Sequence, residues 1–243
     1  MKIARLPDGS PELFHTLQGE GPSIGAPAVF LRLSLCNLHC SWCDTPYTWN
    51  WEKTPWKHQD GVKFSKDEQI LELSAEEIAP LIQKFDCPRL VITGGEPLLQ
   101  QSDLPELIQR LKDVHFLEIE TNGTQLPTKE LDTRVTAYNV SPKLSNSGMK
   151  ESLRLKETSL QFFSRSEKAN FKFVVSSESD LEEIKALQSQ FAIPSERIFL
   201  MPEGRSPQEM EKKSHWLADI CRDQGYRFAP RLHVLLWGDK RAK

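Results

Sequence analysis

Cys36-Asn37-Leu38-His39-Cys40-Ser41-Trp42-Cys43-Asp44-Thr45 places three thiols at C-x3-C-x2-C directly after an apolar run. Three cysteines this close on one loop can turn their sulfurs toward a common point, which suits three irons of a 4Fe-4S cube. The fourth iron then has no protein ligand, so a small molecule can bind it and receive an electron. Other readings of the thiols explain less. A structural zinc site wants four closed ligands, commonly as two C-x2-C pairs. Only Cys40 and Cys43 form such a pair, and Cys87 and Cys221 stand alone. His39 keeps zinc open as an alternative, because it can complete a set of four. A thioredoxin-type pair leaves Cys36 unexplained.

The segment feeding this loop, 27–35, reads as a buried strand with one charge, Arg32. A charge in such a run is costly unless paired, so Arg32 either bonds an internal carboxylate or waits for an anionic ligand. The ligand reading is favoured, because a guanidinium fork matches a carboxylate and this strand delivers Cys36. Upstream, Leu17-Gln18-Gly19-Glu20-Gly21 is a polar turn whose glycines allow tight bending or close approach to a ligand. Downstream, alternating aromatics at 47–56 suggest a loop folded over something apolar, or a hairpin at a dimer surface, with no catalytic part.

Beyond it the pattern becomes regular. A capping box at Ser74 and Glu77 opens a helix that Pro88 ends. A strand at 90–92 runs into Thr93-Gly94-Gly95-Glu96-Pro97, whose paired glycines let backbone meet a ligand. A helix capped near Ser102 leads to a strand at 116–120, which ends in Thr121-Asn122-Gly123-Thr124. The next strand, 137–140, ends in Ser141-Pro142-Lys143. Strands at 171–175 and 197–201 enclose a helix over 180–190. A helix over 207–224 precedes a last strand, 226–233, ending in the imidazole of His233, and then a solvated tail at 237–241. Strands separated by helices at this spacing imply right-handed βαβ units, with ligands at the C-terminal strand ends. About six strands are too few for a closed eight-stranded barrel. The expected fold is an α/β partial, open parallel barrel, with residues 1–243 forming a single domain.

Composition agrees. The 243 residues are 38% hydrophobic and 27% charged, the profile of one globular domain. A net charge of −3 and a pI near 6.1 disfavour nucleic acid as a partner. No apolar run approaches the roughly 20 residues of a membrane span, and Met1-Lys2-Ile3-Ala4-Arg5 lacks a signal peptide's apolar core. A cytoplasmic location is expected, and five cysteines, three of them clustered, suit a reducing compartment.

The thiol loop followed by Gly-Gly-Glu resembles the radical S-adenosylmethionine (SAM) superfamily. The joint order of Leu17 to Gly21, Arg32, residues 36–45, 93–97, Glu120 to Gly123, Ser141 to Lys143 and Leu232-His233 is similar to the 7-carboxy-7-deazaguanine synthases within it. That resemblance implies a radical SAM lyase of 7-deazapurine (queuosine) biosynthesis. It would convert 6-carboxy-5,6,7,8-tetrahydropterin to 7-carboxy-7-deazaguanine and ammonia, SAM supplying a 5′-deoxyadenosyl radical and acting catalytically. It further implies that Cys36, Cys40 and Cys43 hold the 4Fe-4S cluster. Leu17, Gln18, Gly19, Glu20, Arg32, Thr93 and His233 would contact substrate, with Arg32 on its carboxylate. Gly95, Glu120, Asn122, Ser141, Pro142 and Lys143 would bind SAM, and Thr45 would meet a Mg²⁺. The implied partners are the pterin, an electron donor such as flavodoxin or ferredoxin, and a second copy in a homodimer. The alternatives are a radical SAM activase of a glycyl-radical enzyme and a non-enzymatic zinc-binding module.

Overall fold

In the central strands side chains point alternately to opposite faces, and this parity divides the molecule in two. Val29, Leu31 and Leu33, then Leu90 and Ile92, Leu117 and Ile119, Tyr138 and Val140, Phe171, Phe173 and Val175, and Ile198 and Leu200 all join one buried core with the helices outside them. The opposite parity, including Arg32, Thr93, Glu120, Asn139, Lys172 and Met201, lines a cavity. The computed structural model describes all of residues 1–243.

The strands are β1 (Lys2–Ala4), β2 (Leu13–Leu17), β3 (Pro27–Leu33), β4 (Ile70–Glu72), β5 (Arg89–Gly94), β6 (Phe116–Thr121), β7 (Ala137–Val140), β8 (Ala169–Val175), β9 (Ile198–Pro202) and β10 (Arg227–Phe228). Their order is β10-β9-β8-β7-β6-β5-β3-β1-β4, with β2 also on β3. β3 and β5 to β10 run parallel, while β1, β2 and β4 add an antiparallel margin. The sheet has free ends at β4 and β10 and is the expected open, partial barrel. Ten strands rather than about six arise because short antiparallel segments such as Lys2–Ala4 carry too few residues to show a period.

Helices Ala75–Gln83, Leu104–Arg110, Lys129–Arg134, Glu157–Arg165, Asp180–Phe191 and Pro207–Gln224 cover the outer face. The capping box forms, Ser74 Oγ accepting from Glu77 N at 3.2 Å and Glu77 Oε2 from Ser74 N at 2.8 Å. Two helix ends differ from expectation. The first helix stops at Gln83, well before Pro88, in a tight turn from Phe85 N to Ile82 O (3.1 Å). Asp103, not Ser102, stands at the start of the second helix, and no side chain caps it.

The C-terminal segment departs most from the sequence reading. The expected strand 226–233 is only Arg227–Phe228, followed by a helix Leu232–Trp237 with His233 in its first turn. Ala229 N makes the last ladder bond, to Leu200 O (2.9 Å); Pro230 has no N–H to continue it. Nor is the tail a solvated end. Arg241 lies 3.6 Å above the Tyr47 ring, and donates from Nε to Glu12 Oε2 (2.7 Å) and from Nη2 to Arg5 O (2.7 Å). Arg205 clasps both Asp239 (2.7 Å) and Asp60 of the loop after the thiols.

Candidate active site

Leu35, in the left-handed region at φ 73°, turns the chain sharply out of β3 into the thiol loop. Gly94 and Gly95 then pass so close that a Cβ would lie 2.0 Å from Leu33 O on the first and 2.1 Å from Leu35 O on the second. Their backbone bonds the same segment, Gly95 N to Leu33 O (3.1 Å) and Glu96 N to Leu35 O (2.8 Å). The paired glycines therefore meet the backbone that carries Cys36, and both also line the cavity. Glu96 points the other way: fully buried, it accepts from Thr121 Oγ1 (2.8 Å), Asn122 N (2.7 Å) and Leu98 N (3.0 Å). Burial raises its carboxyl's pKa against those donors.

The turn after β6 braces the thiol loop. Asn122 Nδ2 donates to Asn37 Oδ1 (3.0 Å), and Asn37 Nδ2 donates to Thr124 Oγ1 (2.8 Å). Trp42 Nε1 bonds Asn146 O (3.1 Å), and Ser41 N bonds Ser147 O (3.0 Å). So held, Cys36, Cys40 and Cys43 are free thiols that line one cavity. Burial pushes all three up, Cys40 to about 12, so they need a strong cation to ionise. Nowhere do three His, Cys, Asp or Glu side chains converge tightly enough for one metal ion. His39, the spare ligand of the zinc reading, is stacked on Trp56 at 3.7 Å between centroids. Three free thiols on one cavity, with the His39 imidazole held in an aromatic stack, suit a 4Fe-4S cube with one corner left open better than a closed tetrahedral ion, which wants four ligands.

The cavity, about 200 Å³ against about 30 Å³ for the next, gathers nearly every expected residue. Leu17, Gln18, Gly19, Glu20, Arg32, Thr45, Thr93, Gly95, Glu120, Asn122, Ser141, Lys143 and His233 all line it with the thiols. Pro142 does not; it is buried behind its neighbours.

Arg32 takes the first of its two expected alternatives, an internal carboxylate. Its Nε donates to the buried Glu12 (2.7 Å), correcting the ligand-only preference, while the terminal nitrogens stay available toward the cavity. Glu120 is fixed by Thr93 Oγ1 (2.7 Å) and Gln18 Nε2 (3.2 Å). Lys143 Nζ donates to Ser141 Oγ at 2.9 Å. Gly19 admits the last helix: a Cβ there would sit 2.2 Å from His233 Nδ1, and Leu232 N bonds Gly19 O (2.9 Å).

One charged wall was not foreseen. Lys172 bonds Glu20 Oε2, Arg231 Nε bonds Glu20 Oε1 (3.1 Å), and Arg231 continues to Asp44 and to Gly204 O (2.7 Å). Burial pushes the Glu20 carboxyl up, but Lys172, Arg231 and His233 outweigh it, so Glu20 titrates well below the usual carboxylate range. Burial keeps His233 low despite Glu20, which leaves it neutral near pH 7. Glu12, Asp44, Asn139, Lys172 and Arg231 all escaped the sequence reading. For Lys172 the signal was available: one charge among Phe171, Phe173, Val174 and Val175 raises the same question as Arg32.

The radical SAM superfamily model matches residues 32–159. The chain is similar to 7-carboxy-7-deazaguanine synthase of Pyrobaculum aerophilum, 39% identical over 233 residues, with 96% of each chain covered. The synthase of Halobacterium salinarum is 34% identical over 250 residues, covering 94% of this chain and 90% of the relative. Among solved structures, QueE from Escherichia coli superimposes with a TM-score of 0.65 at 29% identity, covering 96% of this chain and 95% of that one.

Proposed function

Because the chain belongs to the radical SAM superfamily and, within it, to the 7-carboxy-7-deazaguanine synthases, we propose how its cavity divides the labour of that reaction. The enzyme is a radical SAM lyase that converts 6-carboxy-5,6,7,8-tetrahydropterin to 7-carboxy-7-deazaguanine with loss of ammonia, in queuosine biosynthesis. When bound, the 4Fe-4S cluster and SAM supply the electron and the adenosyl radical that abstracts hydrogen from the pterin. A small-molecule substrate and a reductant follow from that chemistry.

One observation carries the assignment: three free thiols open onto the same cavity as an arginine whose terminal nitrogens are uncommitted. Cys36, Cys40 and Cys43 would hold three irons. Arg32, its Nε occupied by Glu12, would turn its two outer nitrogens to the substrate carboxylate. Leu17 to Glu20, Thr93 and neutral His233 would meet the pterin ring. Each Glu20 oxygen keeps a lone pair beyond its bond to Lys172 or Arg231, so it still accepts a ring N–H. Gly95, Glu120, Asn122, Ser141 and Lys143 would bind SAM, with Pro142 shaping that turn from behind. The helix Leu232–Trp237, docked on Gly19, would exclude water from the site.

Thr45 lines the cavity one residue from Asp44, whose carboxylate is committed to Arg231. A Mg²⁺ there would take one hydroxyl from the protein and its remaining oxygens from substrate and water. Thr45→Ala should raise the Mg²⁺ concentration giving half-maximal rate about tenfold, roughly 1.4 kcal/mol. An unchanged metal titration would remove Thr45 from the site. We read residues 1–243 as one domain acting as a cytoplasmic homodimer with a flavodoxin or ferredoxin as donor; the lack of any helix long and apolar enough to cross a membrane supports the location.

Reconstituted protein incubated anaerobically with SAM, a low-potential reductant, Mg²⁺ and the carboxypterin should yield the deazapurine by mass; SAM cleavage without product would favour the activase. Arg32→Ala should weaken the pterin about 10- to 100-fold, the roughly 1.5–3 kcal/mol of a hydrogen bond to a charged group, and leave SAM within about threefold. Equal loss of both ligands in anaerobic calorimetry would argue against a carboxylate contact.

A further inference from the structure

The three thiols are unequally served by hydrogen-bond donors. Cys36 Sγ accepts from Leu38 N at 3.4 Å and has Asn122 Nδ2 at 4.0 Å, whereas Cys43 Sγ has the indole Nε1 of Trp49 at 3.3 Å and the Thr45 hydroxyl at 3.6 Å. Trp49 belongs to the aromatic tract at 47–56 that the sequence reads as a covering loop or dimer hairpin with no catalytic part. It is 1% exposed, and Cys43 is the sole partner of its N–H.

The surrounding loop is built to hold that ring. A 3-10 turn, Pro46–Thr48, delivers it, with Trp49 N bonded to Pro46 O (3.1 Å). The His39 ring backs it at 5.1 Å between centroids and is itself stacked on Trp56. Lys63 Nζ fastens the outer part of the loop through Asn50 Oδ1 (2.7 Å) and Trp56 O (2.6 Å). His58 Nε2 lies 2.7 Å from Cys43 O, so the main chain of the same cysteine is tied to the same loop. A buried indole N–H needs only some acceptor, and a carbonyl oxygen would be the stronger one. This one is aimed at a thiolate position.

We infer that Trp49 is a positioning residue that sets the reduction potential of the cluster through its N–H to the Cys43 sulfur. The inference rests on the thiols being the cluster ligands. Hydrogen bonds to ligating sulfurs stabilise the more negative, reduced form and raise the potential. The step concerned is the transfer of one electron from an external low-potential reductant to the centre, and removing the N–H makes that transfer less favourable.

The test uses the full chain, reconstituted with iron and sulfide, as wild type, Trp49→Phe, and a variant with 3-benzothienylalanine at position 49, which keeps the ring's shape and deletes only the donor. Iron and sulfide are counted first, and the midpoint is then read by dithionite titration followed by electron paramagnetic resonance. Loaded variants should both be harder to reduce by about tenfold, a shift of about 59 mV to the negative for a one-electron couple. An unchanged midpoint in a loaded variant overturns the inference. So does a shift in the Phe protein with none in the isostere, since that assigns the effect to packing. Wild-type protein that assembles no cluster would overturn the ligand assignment, and this inference with it.

Discussion

Protein carrying alanine at Cys36, Cys40 or Cys43 is expected to lose the brown iron–sulfur absorption and to cleave no SAM above background. The cause is geometric. In the proposed ligand set each sulfur would anchor one iron, so losing any one leaves the cluster only two protein ligands. His39 is the nearest substitute in sequence, but its ring is stacked on Trp56 and tilted against Trp49. Burial holds it near a pKa of about 4, so it is neutral yet occupied by packing. Iron content and the reductive cleavage of SAM measure the outcome, with circular dichroism to verify the fold. Cys87→Ala and Cys221→Ala are the controls, since both thiols lie in the helix-covered core and should leave the cluster intact. A single thiol variant that retains a SAM-cleaving 4Fe-4S centre would remove that cysteine from the ligand set.

Lys172→Met should destabilise the fold by about 3–5 kcal/mol, because it leaves the Glu20 carboxylate buried with one partner fewer. For a chain of this size that corresponds to a fall in Tm of roughly 6–20 °C. Arg231 still bonds Glu20 Oε1 at 3.1 Å but is shared with Asp44 and Gly204 O, so it cannot supply the missing charge. The sign of the pH dependence follows from Glu20. Its folded pKa lies below the unfolded one, so its stabilisation is complete above the unfolded value of about 4.3 and is lost as pH falls toward the folded value. The gap between wild type and variant should therefore be widest near neutrality and narrow in acid. Adding Glu20→Gln to Lys172→Met should restore much of the loss if the uncompensated charge is its cause. Denaturant titrations at two pH values decide it, and a single-variant loss below about 1 kcal/mol would show that the pair does not hold this wall.

The chemistry was legible in short motifs. The spacing of Cys36, Cys40 and Cys43 announces a cluster with an open corner before any fold is known, because ligand number and spacing on one loop are local properties. The βαβ alternation gave the parallel sheet for the same reason: side-chain period and capping are written within each segment. Roles that depend on which groups meet across the sheet were not legible. Arg32 looked unpaired from its own strand, yet Glu12, 20 residues earlier, takes its Nε. Gly94 and Gly95 looked like a ligand turn, and they serve first to let β5 pass the backbone of Leu33 and Leu35.

The sequence by itself determined the thiol triplet, the central strands β3 and β5 to β9, the helices beginning near 75, 104, 180 and 207, and the polar turns at the strand ends, since each depends on neighbours within a few residues. Only the tertiary structure decided that Lys172 and Arg231 close on Glu20 while Arg231 also holds Asp44, that residues 232–237 form a helix over Gly19, and that Arg241 returns to Glu12. Those contacts join residues up to 229 positions apart in the chain. They exist because curling the sheet turns one parity of the central strands into a common low-dielectric interior, where a charge must find a partner wherever in the chain it lies.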